Sequence, residues 1–276
     1  MNAKVLSLNG TEERQINLPN AFSEEVREDL IKRAVLSERS YKLQPQGHSV
    51  LAGMQTTATY YGAMHSYRTG RHMGVAIRPR QKLGGGVQGM VRRIPSSVKG
   101  KRAHPHMIEK KIWERINKKE YQKAIASAIS ATALNSYSPA QHKPPLIIST
   151  EIESLKKTKE ISKLFEKLGF AALLQESKDK KHEKAGLKRG ARQKKYKKSI
   201  LLVLGSDKGA LRAARNIAGS DACTVDKITA EILAPGGVPG RATIWSESAI
   251  SQLDSAITKL VPPGMPEEAK IRREKQ

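Results

Sequence analysis

Residues 200–209, Ile-Leu-Leu-Val-Leu-Gly-Ser-Asp-Lys-Gly, decide the fold class of this chain. The first five residues are continuously apolar, which is typical of a short strand that is covered on both faces of a sheet. Ser206 is positioned to cap a following helix, in which Leu211 and Ala214 recur at helical spacing before Gly219 ends it. A buried strand followed at once by a helix predicts one unit of a parallel sheet.

The same alternation continues on both sides of this unit. Further strands are predicted at 146–149, 170–174, 222–225 and 243–245, and further helices at 118–134, before Gly169 and at 247–260. The N-terminus predicts a hairpin of strands 4–8 and 15–18 around Asn9-Gly10, and then a helix capped by Ser23. The sequence therefore predicts an α/β layered domain with a mainly parallel central sheet flanked by helices, plus a long extended basic loop.

Positive charge is concentrated in two segments of the 276-residue chain, whose formal net charge is +24. Residues 39–108 contain twelve Lys or Arg, ten Gly and no Asp or Glu, and residues 177–198 contain eleven Lys or Arg against two acidic residues. Unbalanced like charge opposes compaction, so a segment without carboxylates needs a polyanion beside it to become ordered. RNA or DNA is the partner that this pattern favours.

The charge pattern also predicts how the chain is organised. Residues 1–38 and 109–262 are expected to form one α/β body, and 39–108 a long extension inserted into it. Residues 177–198 are expected to form a second basic loop that gives another RNA-binding face, with a solvated charged loop as the alternative. The tail 263–276 has little to bury and is expected to be loose.

Several basic residues of these segments stand beside Gly, Pro and small polar residues, where a guanidinium can fork onto a phosphate. Tyr60, Tyr61 and Tyr67 are placed to stack on exposed bases. The candidate RNA-binding residues are Arg68, Arg71, Arg78, Arg80, Lys82, Arg92, Arg93, Lys99, Lys101, Arg102, Arg189, Arg192, Lys194, Lys195, Lys197 and Lys198.

Motifs for catalysis, cofactors and metals are weak in this sequence. Gly84–Gly86 lacks the Lys-Ser/Thr ending of a phosphate-binding loop, and no Gly-x-Ser-x-Gly motif occurs. His104 and His106 are interpreted as solvated or RNA-facing, because no acid or cysteine lies between Glu38 and His104 to complete a metal site. We therefore predict no catalytic residue, no cofactor and no metal.

The single cysteine and the apolar runs bear on the compartment. Cys223 has no intramolecular partner for a disulfide and is expected to be a small buried residue, which fits a reduced cytoplasmic setting. No apolar run approaches the roughly 20 residues of a membrane span. The N-terminus lacks the apolar region of a signal peptide. A membrane partner is therefore not expected.

A family resemblance covers nearly the whole chain in order. It rests on Leu18-Pro19, the helix Arg27–Arg33, Thr69-Gly70-Arg71, Gly84–Gly86, Val98–Pro105 and Leu233–Arg241. These residues resemble the universal fourth protein of the large ribosomal subunit, in its archaeal branch. Tyr60–Tyr67 departs from the most frequent version of that family.

The resemblance implies a structural role without catalysis. In that family the body lies on the outer face of the subunit, while a basic loop penetrates the large ribosomal RNA and its tip lines the nascent-peptide exit tunnel. Carried over to this chain, the tip falls between Gly70 and Gly89, and the return limb comprises Arg92, Arg93, Lys99, Lys101 and Arg102. The tunnel-tip candidates are Gly70, Arg71, His72, Arg78, Arg80 and Gly84.

The leading hypothesis is a structural constituent of the large subunit of the cytoplasmic ribosome. Its partners would be large-subunit ribosomal RNA, neighbouring large-subunit proteins and the nascent peptide near the loop tip. One alternative is an RNA-processing or RNA-modifying enzyme with a cofactor pocket near Gly205–Gly209, at the carboxyl ends of the strands. A second alternative is a general nucleic-acid packaging protein.

Overall fold

The computed structural model describes residues 2–60, 74–83, 86, 88–134, 143–179, 181–182 and 194–262. The chain divides into two compact units. Met1–Lys42 and Trp113–Gln276 together form the core unit, and Leu43–Ile112 forms the basic unit. The boundaries expected from the sequence were after Glu38 and after Ile108. The C-terminal tail 263–276 lies outside the described residues.

The strands are numbered in chain order. They are β1 Asn2–Leu6, β2 Glu12–Asn17, β3 Leu146–Ile148, β4 Lys181–His182, β5 Lys194–Lys195, β6 Leu201–Leu204, β7 Asp221–Thr224 and β8 Thr243–Ser246. Within the described residues, a six-stranded sheet has the order β2-β1-β3-β8-β6-β7. The β1–β2 pair is antiparallel and every other pair in this sheet is parallel. Strands β4 and β5 form a separate antiparallel pair.

Seven α-helices and four short 3₁₀ helices belong to the described part of the core unit. The α-helices are α1 Glu28–Lys42, α2 Lys118–Thr132, α3 Thr158–Lys167, α4 Ala171–Lys178, α5 Ala210–Arg215, α6 Ala230–Leu233 and α7 Glu247–Lys259. The 3₁₀ helices are Asn20–Ser23, Thr150–Ser154, Val225–Lys227 and Pro235–Gly237. No helix in the described ranges is long and apolar enough to cross a bilayer.

The two faces of the sheet belong to two separate apolar clusters. Leu201 and Val203 pack with residues of α1, α2 and α7, whereas Leu202 and Leu204 pack with residues of α3, α4 and α5. Successive side chains of a strand point to opposite faces, so a strand between two helical layers must be apolar at every position. This arrangement confirms the α/β layered fold that the run at 200–204 predicted.

Three local predictions are wrong. Ser206 does not cap the helix after β6, because α5 begins at Ala210 with Gly209 as its N-cap, and the Ser206 hydroxyl donates to Glu153.

The run 170–174 was predicted as a strand, but Phe170 directly precedes helix α4, and the Leu174 amide donates to the Phe170 carbonyl at 3.1 Å. Both side chains are buried in the same cluster, because residues four apart lie on one face of a helix. Short apolar runs do not distinguish a strand from a buried helix.

The expected cap of the first long helix is also wrong. Ser23 ends the 3₁₀ helix Asn20–Ser23, and Glu24 is extended, with φ −68° and ψ 150°. This extended backbone separates Ser23 from α1, which begins at Glu28 and continues to Lys42. The carboxylates of Glu28 and Asp29 in its first turn complement the helix dipole there.

Candidate nucleic-acid interface

The basic unit is built from irregular backbone whose distant segments pair locally. Isolated antiparallel bridges join Thr59 to Arg80 and Arg80 to Val91. The Thr59 and Arg80 amides each donate to the other's carbonyl at 3.3 Å, and the Gln81 amide donates to the Met90 carbonyl at 2.9 Å. These bonds bring three stretches of a segment rich in basic residues side by side.

Two glycines of the basic unit lie where the backbone approaches itself closely. Gly53 has φ +77°, and an ideal Cβ there would stand 2.3 Å from the Gly100 carbonyl oxygen. An ideal Cβ on Gly100 would stand 1.9 Å from the Ile94 carbonyl oxygen. Both distances are far below van der Waals contact, so only glycine fits these two positions.

Gly100→Ala is expected to loosen the basic unit while leaving the core unit folded. The methyl group must displace the Ile94 carbonyl, at a cost of about 1–3 kcal/mol in local strain. Amide hydrogen exchange should accelerate by about tenfold or more around residues 91–100. The exposed Ser96→Ala is the matched control, since the Ser96 side chain makes no hydrogen bond with the described residues. Unchanged exchange in the glycine variant would show that the loop accommodates the methyl group.

Three arginines predicted to bind RNA also hold carbonyl groups of the basic unit. The Arg80 guanidinium donates to the carbonyls of Gly89 and Ala76, both at 3.1 Å. Arg92 donates to the Val98 carbonyl, and Arg93 to the Ala58 carbonyl at 3.2 Å. Because these bonds stabilise the loop itself, part of the predicted RNA-binding charge has an internal structural role that the sequence did not show.

Four other cations form an unneutralised surface. Arg78, Lys99, Lys101 and Arg102 are exposed, and none of the four makes an ion pair with any residue that the structure describes. Lys82 is exposed too, but it interacts with another residue and is not one of these four. Cations without local carboxylates are free to neutralise phosphates, with release of counterions from the nucleic acid.

The second basic run differs in this respect. The Lys197 ammonium pairs with Glu176, and the Lys198 ammonium lies 2.7 Å from an Asp221 carboxylate oxygen. Lys194 and Lys195 form β5. In the core unit, therefore, at least two cations of this run already have carboxylate partners.

The remaining candidates fall on parts of the chain that are not described. Candidates outside the described residues are Arg68, Gly70, Arg71, His72, Gly84, Arg189 and Arg192, together with Tyr61 and Tyr67. His104 and His106 are both exposed. Within the described ranges, no group of three or more His, Cys, Asp or Glu residues is placed to hold a metal ion.

The carboxyl edge of the parallel sheet is filled by the protein's own carboxylate. Glu153, whose side chain is 2% exposed, accepts hydrogen bonds from the amide of Gly205 at 3.0 Å and from the Ser206 hydroxyl at 2.7 Å. The hydroxyls of Ser246, at 3.0 Å, and of Ser248 also donate to it. Burial opposes ionisation of Glu153, but the hydrogen bonds from Ser248, Ser206 and Ser246 outweigh it and lower its pKa.

This carboxylate bears on the enzyme alternative. Ligands of open α/β sheets bind outside the carboxyl ends of the strands, where free amides and hydroxyls receive them. Here the donors of Gly205 and Ser206 are already used by Glu153. The Gly205 and Ser206 donors are therefore not free to hold a cofactor phosphate.

A second buried carboxylate lies close to the boundary of the acid-free segment. Glu38 accepts from the Tyr121 hydroxyl and the Ala230 amide, both at 2.7 Å, and from the Glu231 amide at 2.8 Å. It thereby caps the N-terminus of α6, and burial raises the pKa of its carboxyl. The sequence marked Glu38 only as the last acid before the basic run.

At the amino edge of the sheet a buried guanidinium connects three strands. The Arg241 side chain is 2% exposed and donates to the carbonyls of Ile200 at 3.0 Å and Ile232 at 2.8 Å, and to Asp221 at 2.7 Å. Burial opposes ionisation of Asp221, but its bond with Lys198 and the charge of Arg241 outweigh it and lower its pKa. These contacts join the entries of β6, β7 and β8.

An α/β core unit that carries a separate unit of exposed, unpaired cations is typical of the class of polyanion-binding proteins. The sequence matches the ribosomal protein L4/L1 family over residues 16–256. The chain belongs to the ribosomal protein L4/L1 family.

Individual relatives are similar in sequence to this protein over nearly its full length. The large ribosomal subunit protein uL4 of Archaeoglobus fulgidus is 42% identical over 261 residues, which cover 92% of this chain and 98% of that protein. The protein of the same name from Methanocaldococcus jannaschii is 42% identical over 265 residues, with the same coverage of the two chains. That of Methanococcus maripaludis is 43% identical over 263 residues, covering 92% of this chain and 99% of the relative. The resemblance inferred from the sequence motifs is thereby confirmed, including its archaeal type.

Proposed function

We propose that this protein is a structural constituent of the large ribosomal subunit and binds large-subunit ribosomal RNA through its basic unit. The observation that carries the proposal is the set of exposed cations without ion pairs, Arg78, Lys99, Lys101 and Arg102, in a segment that contains no carboxylate from 39 to 108. The phosphates of ribosomal RNA would provide the negative partners that these cations do not find in the described part of the protein. Membership of the L4/L1 family and the names of its relatives support the ribosomal setting.

Two kinds of residue cooperate in this proposed interface. Arg80, Arg92 and Arg93 use guanidinium hydrogens to hold backbone carbonyls, which limits the conformations of the loop. The four unpaired cations then meet the RNA from a partly ordered backbone, so less conformational entropy is lost on binding. The protein contributes structure and charge, and the proposed role involves no chemical reaction.

The finer partners follow from the family resemblance and belong to the same proposal. Neighbouring large-subunit proteins would contact the core unit, and the region between Gly70 and Gly89 would approach the nascent peptide in the exit tunnel. The site would then lie in the cytoplasmic ribosome, away from membranes. The contacts of Arg78 and Arg80 with ribosomal RNA or nascent peptide are part of this proposal.

Sedimentation tests the ribosomal assignment directly. A tagged copy is expected to migrate with large subunits in a gradient of cell lysate and to remain there after a high-salt wash. A protein that is held to RNA only by surface charges dissociates as the salt concentration rises, because salt screens those charges. A protein that is integrated into the subunit remains bound. Recovery of the protein only in the top fractions after the wash would overturn the assignment.

Charge removal tests the proposed interface. The combined variant Arg78→Gln, Lys99→Gln, Lys101→Gln and Arg102→Gln is expected to weaken binding to large-subunit RNA by about tenfold or more at physiological salt. For every phosphate that is no longer neutralised, the slope of log affinity against log salt should fall by about 1. Filter binding at several salt concentrations measures both quantities.

A matched control removes the same charge from the core unit. Lys119, Lys123, Lys159 and Lys163 are exposed and make no ion pair with the described residues, so their combined change to Gln alters the net charge equally. Its affinity is expected to remain within a few-fold of the parent protein. An equal loss in both combined variants would show that net charge, and not the basic unit, determines binding.

A further inference from the structure

A cavity of about 560 Å³ opens in the core unit beside the amino ends of β6 and β7. Its lining comes from elements that are far apart in sequence. Arg39 and Lys42 belong to α1, Arg215 ends α5, and Lys198 and Arg241 precede β6 and β8. Lys198 was predicted to bind RNA from its position in the second basic run, whereas the other four were not.

The cavity holds more positive than negative charge. Its lining contains five cations and the two carboxylates of Asp221 and Glu231. Asp221 pairs with Lys198 and Arg241, and Glu231 pairs with Arg39 and Lys42. Each carboxylate is therefore shared by two cations. Arg215 has no carboxylate partner in the described chain, and its Nε donates to the Ala222 carbonyl at 3.1 Å. The excess positive charge favours an anionic ligand.

Two guanidinium groups in the lining are held in place by a hydrogen bond from Nε, while their Nη groups have hydrogen-bonding capacity left. Arg39 is held by the bond from its Nε to Glu231 at 3.0 Å, and Arg215 by its bond to Ala222. The terminal Nη groups of both have no partner among the described residues. An arginine that is fixed at Nε presents these groups as a fork, which matches two oxygens of one phosphate.

An unsatisfied hydroxyl lies in the same lining. Ser220 is 6% exposed, and its buried Oγ has no hydrogen-bond partner in the described chain. Because this oxygen is closed off from the open space of the cavity, a ligand there would meet the guanidinium groups and not the Ser220 hydroxyl. The ion pairs of Asp221 and Glu231 leave the Nη groups of Arg39 and Arg215 without partners in the described chain, and these groups carry the argument for a ligand.

We propose that this cavity is a phosphate-binding site that takes a backbone phosphate of RNA. Arg39 and Arg215 bind the phosphate oxygens, and Lys42 and Lys198 add positive charge at the rim. The site gives the core unit its own RNA contact, separate from the basic unit. The choice of RNA as the source of the phosphate rests on the proposed function, whereas the phosphate chemistry rests on the cavity alone.

The test replaces the two forked guanidinium groups in two versions of the protein. Arg39→Gln with Arg215→Gln is introduced into the full chain, and also into the four-residue glutamine variant of the basic unit. In both, affinity for large-subunit RNA is expected to fall about tenfold or more, and the salt slope by about 1 to 2. If the basic-unit variant binds normally but the cavity pair weakens binding, the proposed interface is wrong while the cavity site stands.

Two controls separate the site from net charge and from folding. Lys159→Gln with Lys163→Gln removes the same charge from unpaired surface lysines and should leave affinity within about twofold. Arg39→Lys with Arg215→Lys keeps the charge but loses the fork, so the salt slope should be retained while affinity falls. Equal losses in the glutamine and control pairs, with both variants folded by circular dichroism, would overturn the inference.

Inorganic phosphate distinguishes the two possible sources of the ligand. Titration calorimetry with inorganic phosphate should show weak binding to the parent protein that is lost in the Arg39→Gln, Arg215→Gln variant. Loss of phosphate binding together with loss of RNA affinity supports an RNA phosphate as the ligand. Loss of phosphate binding with unchanged RNA affinity would overturn the assignment to RNA and identify a site for free phosphate.

Discussion

Replacing Arg241 with methionine is expected to lower the free energy of unfolding of the core unit by about 3–5 kcal/mol. The variant removes a buried charge that donates to the Ile232 and Ile200 carbonyls and to Asp221, and each hydrogen bond to a charged group contributes about 1.5–3 kcal/mol. Asp221 keeps its pair with Lys198, and the Ile200 carbonyl still accepts from the Asp221 amide at 3.0 Å, so the Ile232 carbonyl is the acceptor that loses its donor. Urea unfolding of the full chain measures the change. Fluorescence is a suitable probe because Trp113 and Trp245, its two tryptophans, both belong to the core unit.

A matched arginine and a second-site change sharpen this experiment. Arg212 is an exposed arginine of α5 that makes no ion pair with the described residues, and Arg212→Met should cost less than about 1 kcal/mol. The loss in the double variant Arg241→Met, Asp221→Asn should be smaller than the sum of the two single losses, because each single change already breaks the Arg241–Asp221 bond. If Arg241→Met cost no more than Arg212→Met, the buried guanidinium would not be a stabilising connection between the strands.

Glu153→Gln is expected to destabilise the core unit by about 2–4 kcal/mol at pH 7. The carboxylate accepts hydrogen bonds from the Gly205 amide and from the hydroxyls of Ser206, Ser246 and Ser248. An amide has one accepting oxygen instead of two, and its NH₂ group would face buried donors. Bonds to a charged group contribute about 1.5–3 kcal/mol each, and unpaired donors add a penalty.

The pH dependence follows from the lowered pKa of Glu153. A carboxyl whose pKa is lower in the folded than in the unfolded state stabilises the fold above the unfolded value, for which the reference is 4.5. That contribution is lost as the pH falls through the folded pKa. The difference in unfolding free energy between the parent and Glu153→Gln should therefore be largest near neutral pH and shrink in acid.

Glu151→Gln provides the control for this position. Glu151 is exposed and belongs to the same 3₁₀ helix, Thr150–Ser154, so its change alters the charge but not the hydrogen bonds at the sheet edge. Denaturant unfolding between about pH 3 and 7 should show little difference between this variant and the parent. A difference for Glu153→Gln that does not vary with pH would show that ionisation of Glu153 does not stabilise the fold.

The layered fold followed from patterns that are local in sequence. The continuous apolar run 200–204 indicated a strand covered on both faces, and the Asn9-Gly10 turn indicated a hairpin; both are present. Short runs were less informative, since 170–174 lies mainly in a helix. The acid-free segment from 39 to 108 was visible as composition alone, because the absence of carboxylates needs no spatial information.

The polar connections of the core unit could not be predicted in this way. Glu153 binds Ser248, and Glu38 binds Tyr121 and Ala230, across long stretches of chain. No periodicity or motif relates such residues before the sheet places them together. The same holds for the cavity that joins Arg39 to Arg215, since Arg39 begins the acid-free segment, Arg215 lies far outside it, and no local pattern relates the two.

The sequence by itself determined the α/β class, the family motifs and the location of the excess positive charge, because hydrophobic periodicity and charge are properties of neighbouring residues. Only the tertiary structure decided which positive charges are available to bind a polyanion. It assigned Arg80 and Arg92 to carbonyls within the loop, paired Lys198 with Asp221, and left Arg78 and Lys99 exposed. The physical reason is that the cost of a charge depends on its distance from partners and from water, and folding determines both distances.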